Sequence, residues 1–155
     1  MGLREQLNES TKEAMKAKDA KRLSTLRMVQ AALKDRDIAA RTETSRELLG
    51  DDDILLLLAK MIKQREESAA AYDTGNRPDL AASEREEIAV IRSFMPRQMS
   101  DGETRDAARA TIEELGAAQM KDMGRVMAAM KERFAGQMDF AKASGVVKEL
   151  LSAPK

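Results

Sequence analysis

The sequence predicts an all-α protein, and three observations carry that prediction. Apolar residues make up 43% of the chain but aromatics only 3%, with no Trp, so Leu, Ile, Met, Val and Ala must fill the core. Apart from Val and Ile, these are good helix formers. Only 8 Gly and 3 Pro in 155 residues leave few places to turn, which argues against a sandwich or barrel. Apolar side chains also recur at three- and four-residue steps along most of the chain, the spacing of helix stripes. The expected architecture is an N-terminal helical bundle or hairpin of about four helices over 1–96, then a C-terminal three-helix domain over 97–155.

Leu3, Leu7 and Met15 mark a first helix over 3–17, and Asp19 is placed to cap the next. Leu23, Leu26, Val29 and Leu33 give a second helix over 20–40, with Arg22, Arg27, Lys34 and Arg36 on its other faces. The run 41–50 loses periodicity and stops at Gly50. Asp51, Asp52 and Asp53 open a third helix with a stripe of Ile54, Leu57, Leu58, Met61, Ile62, Ala69 and Tyr72. Three aspartates in a row read better as an N-cap with first-turn acids than as a cation site. Consecutive helix positions diverge by about 100°, and acids are favoured at the positive end of the helix dipole. The loop 73–78 precedes a fourth helix with Pro78 in its first turn and Leu80, Ile88, Ile91 and Met95 inward. A loop this short predicts an antiparallel pair.

Pro96 ends that helix and marks the domain boundary. Ser100 and Glu103 have capping-box spacing for a fifth helix carrying Ala108, Ile112 and Leu115, with Gly116 as its stop. Met120, Met123, Met127, Met130 and Phe134 then form one apolar stripe of a sixth helix. Gly124 sits early in it at a cost of about 1 kcal/mol relative to Ala. Either two helices approach closely there, or a ligand backbone does. Asp139 is placed to cap a last helix with Phe140, Val147, Leu150 and Leu151 inward.

Composition excludes several functions. With no Cys and no His, thiol nucleophiles, disulfides, the usual zinc sites and imidazole acid–base chemistry are absent. No phosphate-binding glycine loop, dinucleotide fingerprint or serine elbow occurs. No catalytic residue, metal ligand or cofactor is therefore expected. The polar start of the chain and the lack of a long apolar run predict a cytoplasmic protein without a membrane partner. Net charge is zero, so any polyanion binding must come from local patches.

One such patch is C-terminal. Between residues 119 and 148, Lys121, Arg125, Lys131, Arg133, Lys142 and Lys148 outnumber Asp122, Glu132 and Asp139, the kind of excess that phosphate binding draws on. Asp122 at the helix start opposes an anion there. Lys63 and Arg65 in the third helix and Arg27 in the second are further candidates. Those side chains would either meet phosphates or bridge to acids on neighbouring helices.

Several stretches together resemble the YqeY-like family, in order and over nearly the whole chain. They are Leu26-Arg27-Met28-Val29 with Ala32-Leu33, and Ile62-Lys63-Gln64-Arg65 with Ser68 and Tyr72. Gly75-Asn76-Arg77 with Asp79-Leu80, the segment Met95-Pro96-Arg97-Gln98-Met99-Ser100, and Lys121-Asp122-Met123-Gly124-Arg125-Val126-Met127 follow. The family shares its C-terminal region with the tail of one component of the tRNA-dependent aspartyl/glutamyl amidotransferase. The resemblance implies an all-helical, two-part fold and a tail that contacts tRNA, with Lys121, Gly124 and Arg125 as matching contact candidates. It departs at Ala135-Gly136-Gln137-Met138-Asp139-Phe140, where the family's lysines and Asp-Gly ending are missing, so no phosphate contact is carried over to that loop.

The function expected is that of a tRNA-binding accessory protein acting with the amidotransferase or an aminoacyl-tRNA synthetase, without a catalytic site of its own. The alternative is a helical protein–protein adaptor whose methionine stripe serves a partner groove. A weaker alternative is a carbon–nitrogen ligase using glutamine as amido donor, implied only through the larger enzyme.

Overall fold

The computed structural model describes residues 2–42 and 47–152, so positions 43–46 of the aperiodic run lie outside the described residues. Among the described residues there are seven α-helices, one short 3-10 turn and no strand. The helices are α1 (Leu3–Ala17), α2 (Ala20–Ala39), α3 (Asp51–Thr74), α4 (Pro78–Arg92), α5 (Asp101–Leu115), α6 (Met123–Arg133) and α7 (Phe140–Ser152). They fall into two compact units, Met1–Met95 and Pro96–Lys155.

The N-terminal unit packs α1 on α2 and α3 on α4 around a core of Leu7, Leu26, Val29, Leu33, Ile54, Leu58 and Ile91. The ion pairs Asp73–Arg85 and Glu66–Arg92 run in reverse order along α3 and α4, which makes that pair antiparallel. The α1–α2 turn places Lys18 in the left-handed region at φ 55°, and Asp19 caps α2 by accepting from Arg22 N at 3.1 Å. None of the three aspartates caps α3. Gly50 is its N-cap, and Asp51 Oδ1 instead accepts the backbone N–H of Leu3 at 3.2 Å, an otherwise unpaired donor at the start of α1. At the other end of α3 the left-handed residue is Asn76 (φ 58°), while Gly75 keeps a negative φ. Arg77 N donates to Tyr72 O at 2.8 Å across this turn. In α4 the buried positions are Ala81, Ile88 and Ile91, and Leu80 is only half-buried.

A charged tie closes the far end of this unit. Arg4 gives two hydrogen bonds to the Asp37 carboxylate, at 2.9 and 3.0 Å, and a third to Leu49 O at 3.1 Å. Leu49 N donates to Asp37 at 3.1 Å. The Arg4 hydrogen bonds, more than any other contact, hold the Asp37 carboxyl below its usual value against the opposing effect of burial.

The C-terminal unit has its own core of Ala108, Val126, Met130, Met138, Ala143, Val147 and Leu151. Its first helix starts on a complete capping box. Glu103 N donates to Ser100 Oγ at 3.1 Å, and Ser100 N donates to Glu103 Oε1 at 3.2 Å. Arg97, together with these Ser100 bonds, lowers the Glu103 carboxyl to about 2. A carboxyl depressed in the fold contributes stability above its ordinary pKa and loses it as pH falls through the lowered value. The cap should therefore persist through mild acid. Ser100→Ala is expected to lower the unit's unfolding free energy by about 1 kcal/mol, measured by urea unfolding. Gly116 ends α5 at φ 64°, where a side chain would be strained. Asp139 Oδ1 accepts from Ala141 N at 2.9 Å at the start of α7. The lead-in to α5 is fastened to the loop before α7, with Met99 N donating to Gln137 O at 2.7 Å and Gln98 Nε2 to Gly136 O.

Candidate nucleic-acid interface

The corner between α5 and α6 sets the geometry of the basic patch. After Gly116 the chain makes a 3-10 turn, Met120–Asp122, and enters α6. Asp122 Oδ2 accepts from Ala118 N at 3.1 Å and Gln119 N at 3.2 Å, while its Oδ1 accepts from Arg125 at 3.2 Å. The two backbone donors, then Arg125, hold this carboxyl below its ordinary value. Arg125 also donates to Leu115 O at 3.0 Å, one of the carbonyls left open where α5 ends. Asp122 and Arg125 therefore brace the corner together. Asp122 turns back onto the preceding loop, and its charge is met by donors inside the unit.

Helix α6 divides cleanly. Val126 and Met130 are fully buried, and Met123 and Met127 are half-buried against the same core. Met120 remains 41% exposed. The methionine stripe is thus mostly committed to the unit's own interior, which leaves the adaptor reading little contiguous surface. Val126 completes the buried face and extends the predicted stripe.

The opposite face exposes Gly124, Ala128 and Lys131, spaced by four and three residues and so on one side of α6, with Lys121 exposed in the 3-10 turn that leads into it. Neither Lys121 nor Lys131 has a hydrogen-bond or ion-pair partner among the described residues. A β-carbon at Gly124 would meet no neighbouring atom within 4 Å. The close-helix-approach explanation of this glycine is therefore corrected, because no helix lies against it. Its cost to α6, about 1 kcal/mol, is unexplained by packing and leaves a bare strip between two free lysines. Ala128 is a member of this strip that the basic residues alone do not point to; the 124/128/131 spacing is the signal that reveals it.

The other candidates separate into braces and free cations. Arg133 pairs bidentately with Glu114 of α5, at 2.6 and 2.9 Å. Arg65 donates to Glu87 Oε2 at 3.0 Å and to Met61 O at 3.1 Å, with 14% of its side chain exposed. Glu87 also draws Lys21 to 3.6 Å, so Arg65 helps join α2, α3 and α4. For Arg65 and Arg133 the bridging alternative is the one realised. Arg27 and Lys63 are exposed and unpaired among the described residues, but they lie in the N-terminal unit. Five of the eight predicted residues lie in the C-terminal unit: Gly124 and Lys131 share a face of α6, Lys121 lies in the turn just before it, Arg125 supports the corner and Arg133 is tied to α5.

The carboxylates whose pKa moves, Asp37, Asp73, Asp79, Glu103, Asp122 and Glu149, all move down, each beside an arginine. These groups act as ion-pair acceptors and are held ionised. The groove of about 700 Å³ between α3 and α4 is likewise rimmed by ion pairs, Arg85 with Asp73 and Arg92 with Glu66.

Comparison with known proteins gives a consistent picture. Residues 4–151 match the family described as Yqey-like protein. Relatives named altered inheritance of mitochondria protein 41, mitochondrial, occur in several yeasts. The chain is 30% identical to that of Vanderwaltozyma polyspora over 89 residues, covering 57% of this chain and 46% of the relative. It is 33% identical to that of Lachancea thermotolerans over 89 residues, with the same coverage. The matched part is less than half the length of these relatives. No helix among the described residues is long and apolar enough to cross a membrane. Since the family match runs over nearly the whole chain, this small helical protein belongs to the YqeY-like family.

Proposed function

We propose that the chain is a tRNA-binding accessory protein, using the outer face of α6 in its C-terminal unit and working beside an amidotransferase or an aminoacyl-tRNA synthetase. One observation carries the reading: Gly124 and Ala128 form an open strip between the unpaired Lys121 and Lys131. Ammonium groups at both ends attract phosphates, and the strip lets a backbone come close. The resemblance to the amidotransferase tail supports tRNA as the polyanion. The protein would act where its tRNA is, in the cytoplasm, whereas the yeast relatives are named for mitochondria; cell fractionation distinguishes the two compartments.

The test is binding of tRNA and of duplex DNA by the full chain across a salt series. tRNA should bind more tightly, with a negative log–log slope. Replacing Lys121 and Lys131 together by Ala should make that slope shallower by about 1.5–2. Equal, weak binding of both nucleic acids, unchanged in the double variant, would sink the proposal.

A further inference from the structure

We propose that the ligand of the Lys121–Lys131 face is the sugar–phosphate backbone of an RNA double helix rather than a single strand. The inference rests on the tRNA-binding reading and specifies which part of an RNA this face touches.

Single-stranded RNA is held chiefly by stacking its bases on exposed aromatic or guanidinium planes. The chain has one Tyr and three Phe, and all four are half-buried, so none presents an open ring face. Phe134 and Phe140 pack against the C-terminal core, and the Phe94 ring lies 5.7 Å beneath the Arg22 guanidinium. The arginines beside the face are also engaged, Arg125 by Asp122 and Leu115 O and Arg133 by Glu114. Neither stacking nor bidentate reading of base edges is therefore offered. What remains is the strip of Gly124 and Ala128 on α6, with free ammonium groups at Lys131 on the helix and at Lys121 in the turn before it, and with the exposed Glu132 next to Lys131. Lys131 stands about 12 Å along the axis from the start of α6 at Met123, and Lys121 lies in the turn before that start, so the two lysines reach separate phosphates. A duplex presents phosphates in fixed rows and is read by shape and backbone, whereas a flexible strand would have to be ordered against a face with nothing to stack on.

Gly124 separates this proposal from a structural role, because its substitution should move stability and binding in opposite directions. With open space around it, Gly124→Leu should raise the melting temperature of the C-terminal unit by removing a helix-weakening residue. The same side chain would hold a duplex off the strip. The experiment measures fluorescence anisotropy of the full chain with a blunt RNA duplex of about 16 base pairs, an unstructured single strand of equal length, the corresponding DNA duplex, and tRNA. The duplex RNA is expected to bind about tenfold more tightly than the single strand, and Gly124→Leu to weaken it by a similar factor. Equal or tighter binding of the single strand, with tRNA still bound, overturns this inference and leaves the tRNA reading standing. Equal binding of duplex DNA overturns the assignment to RNA. Loss of binding to every RNA overturns both readings. A Gly124→Leu chain that is more stable and binds duplex unchanged overturns the close approach at the strip.

Discussion

Replacing Asp37 by Ala is expected to lower the unfolding free energy of the N-terminal unit by about 2–3 kcal/mol. The side chain is 8% exposed and serves α1, α2 and the segment before α3 at once, through Arg4 and Leu49 N. Removing it leaves Leu49 N without its acceptor and the Arg4 guanidinium with Leu49 O alone. Breaking a fully buried pair costs about 3–5 kcal/mol; Arg4, at 24% exposed, recovers part of that by hydration. Asp37→Asn keeps one acceptor oxygen, which can serve Leu49 N and one Arg4 nitrogen but not the second, and should cost less than Ala. The sign of the pH dependence follows from the depressed Asp37 carboxyl. Its contribution is fully present above the unfolded carboxylate value of about 3.9 and is lost as pH falls through the lower folded value. Urea unfolding followed by circular dichroism should show a loss of stability below about pH 4 that is smaller in the Ala variant. A variant within about 0.5 kcal/mol of the parent, with the same acid profile, would show that the tie contributes little.

The Asp37 tie also shows which parts of this molecule can be read from the sequence. Local signals name their own partners. Ser100 and Glu103 are three apart, Asp19 and Arg22 likewise, and both caps form as their spacing predicts. Gly116 ends α5 because a left-handed residue is needed there and a β-carbon is not tolerated cheaply. Other features depend on partners distant in sequence. Asp51 caps α1 rather than its own helix because Leu3 N, 48 residues away, arrives beside it. Arg65, Arg133 and Arg125 find acceptors 22, 19 and 10 residues away. Nothing in a run of basic residues says which of them will be neutralised in this way. The charge excess between 119 and 148 thus marks a basic segment, but only tertiary pairing distinguishes the braces Arg125 and Arg133 from the free Lys121 and Lys131. Gly124 shows the same limit. A glycine early in a helix is legible as an anomaly, while the space around it is a property of the fold.

Met130→Ala is expected to have the larger consequence, because it falls in the smaller core. Met130 is fully buried with Val126, Met138, Ala143, Val147 and Leu151 around it. Truncating a buried Met to Ala costs about 2–5 kcal/mol, through lost transfer free energy and the cavity left behind. A three-helix core of this size supplies only about 3–5 kcal/mol, so one such cavity removes most of the unit's stability. Two thermal transitions should appear, the C-terminal one shifted down steeply and the N-terminal one retained, since Leu26, Leu58 and Ile91 belong to a separate core. Hydrogen exchange should accelerate across α5, α6 and α7 and stay slow in the interiors of α2 and α3. Met123→Ala, at a half-buried site on the same stripe, should cost about 1 kcal/mol. The difference between these two variants measures how far the stripe serves the core, because a partner-binding stripe would lose affinity at Met123 without losing fold at Met130. RNA binding should fail in Met130→Ala at temperatures where α6 has melted and recover on cooling, since the lysine face exists only while the helix does. A single transition that moves as a whole would instead mean that the two cores unfold together.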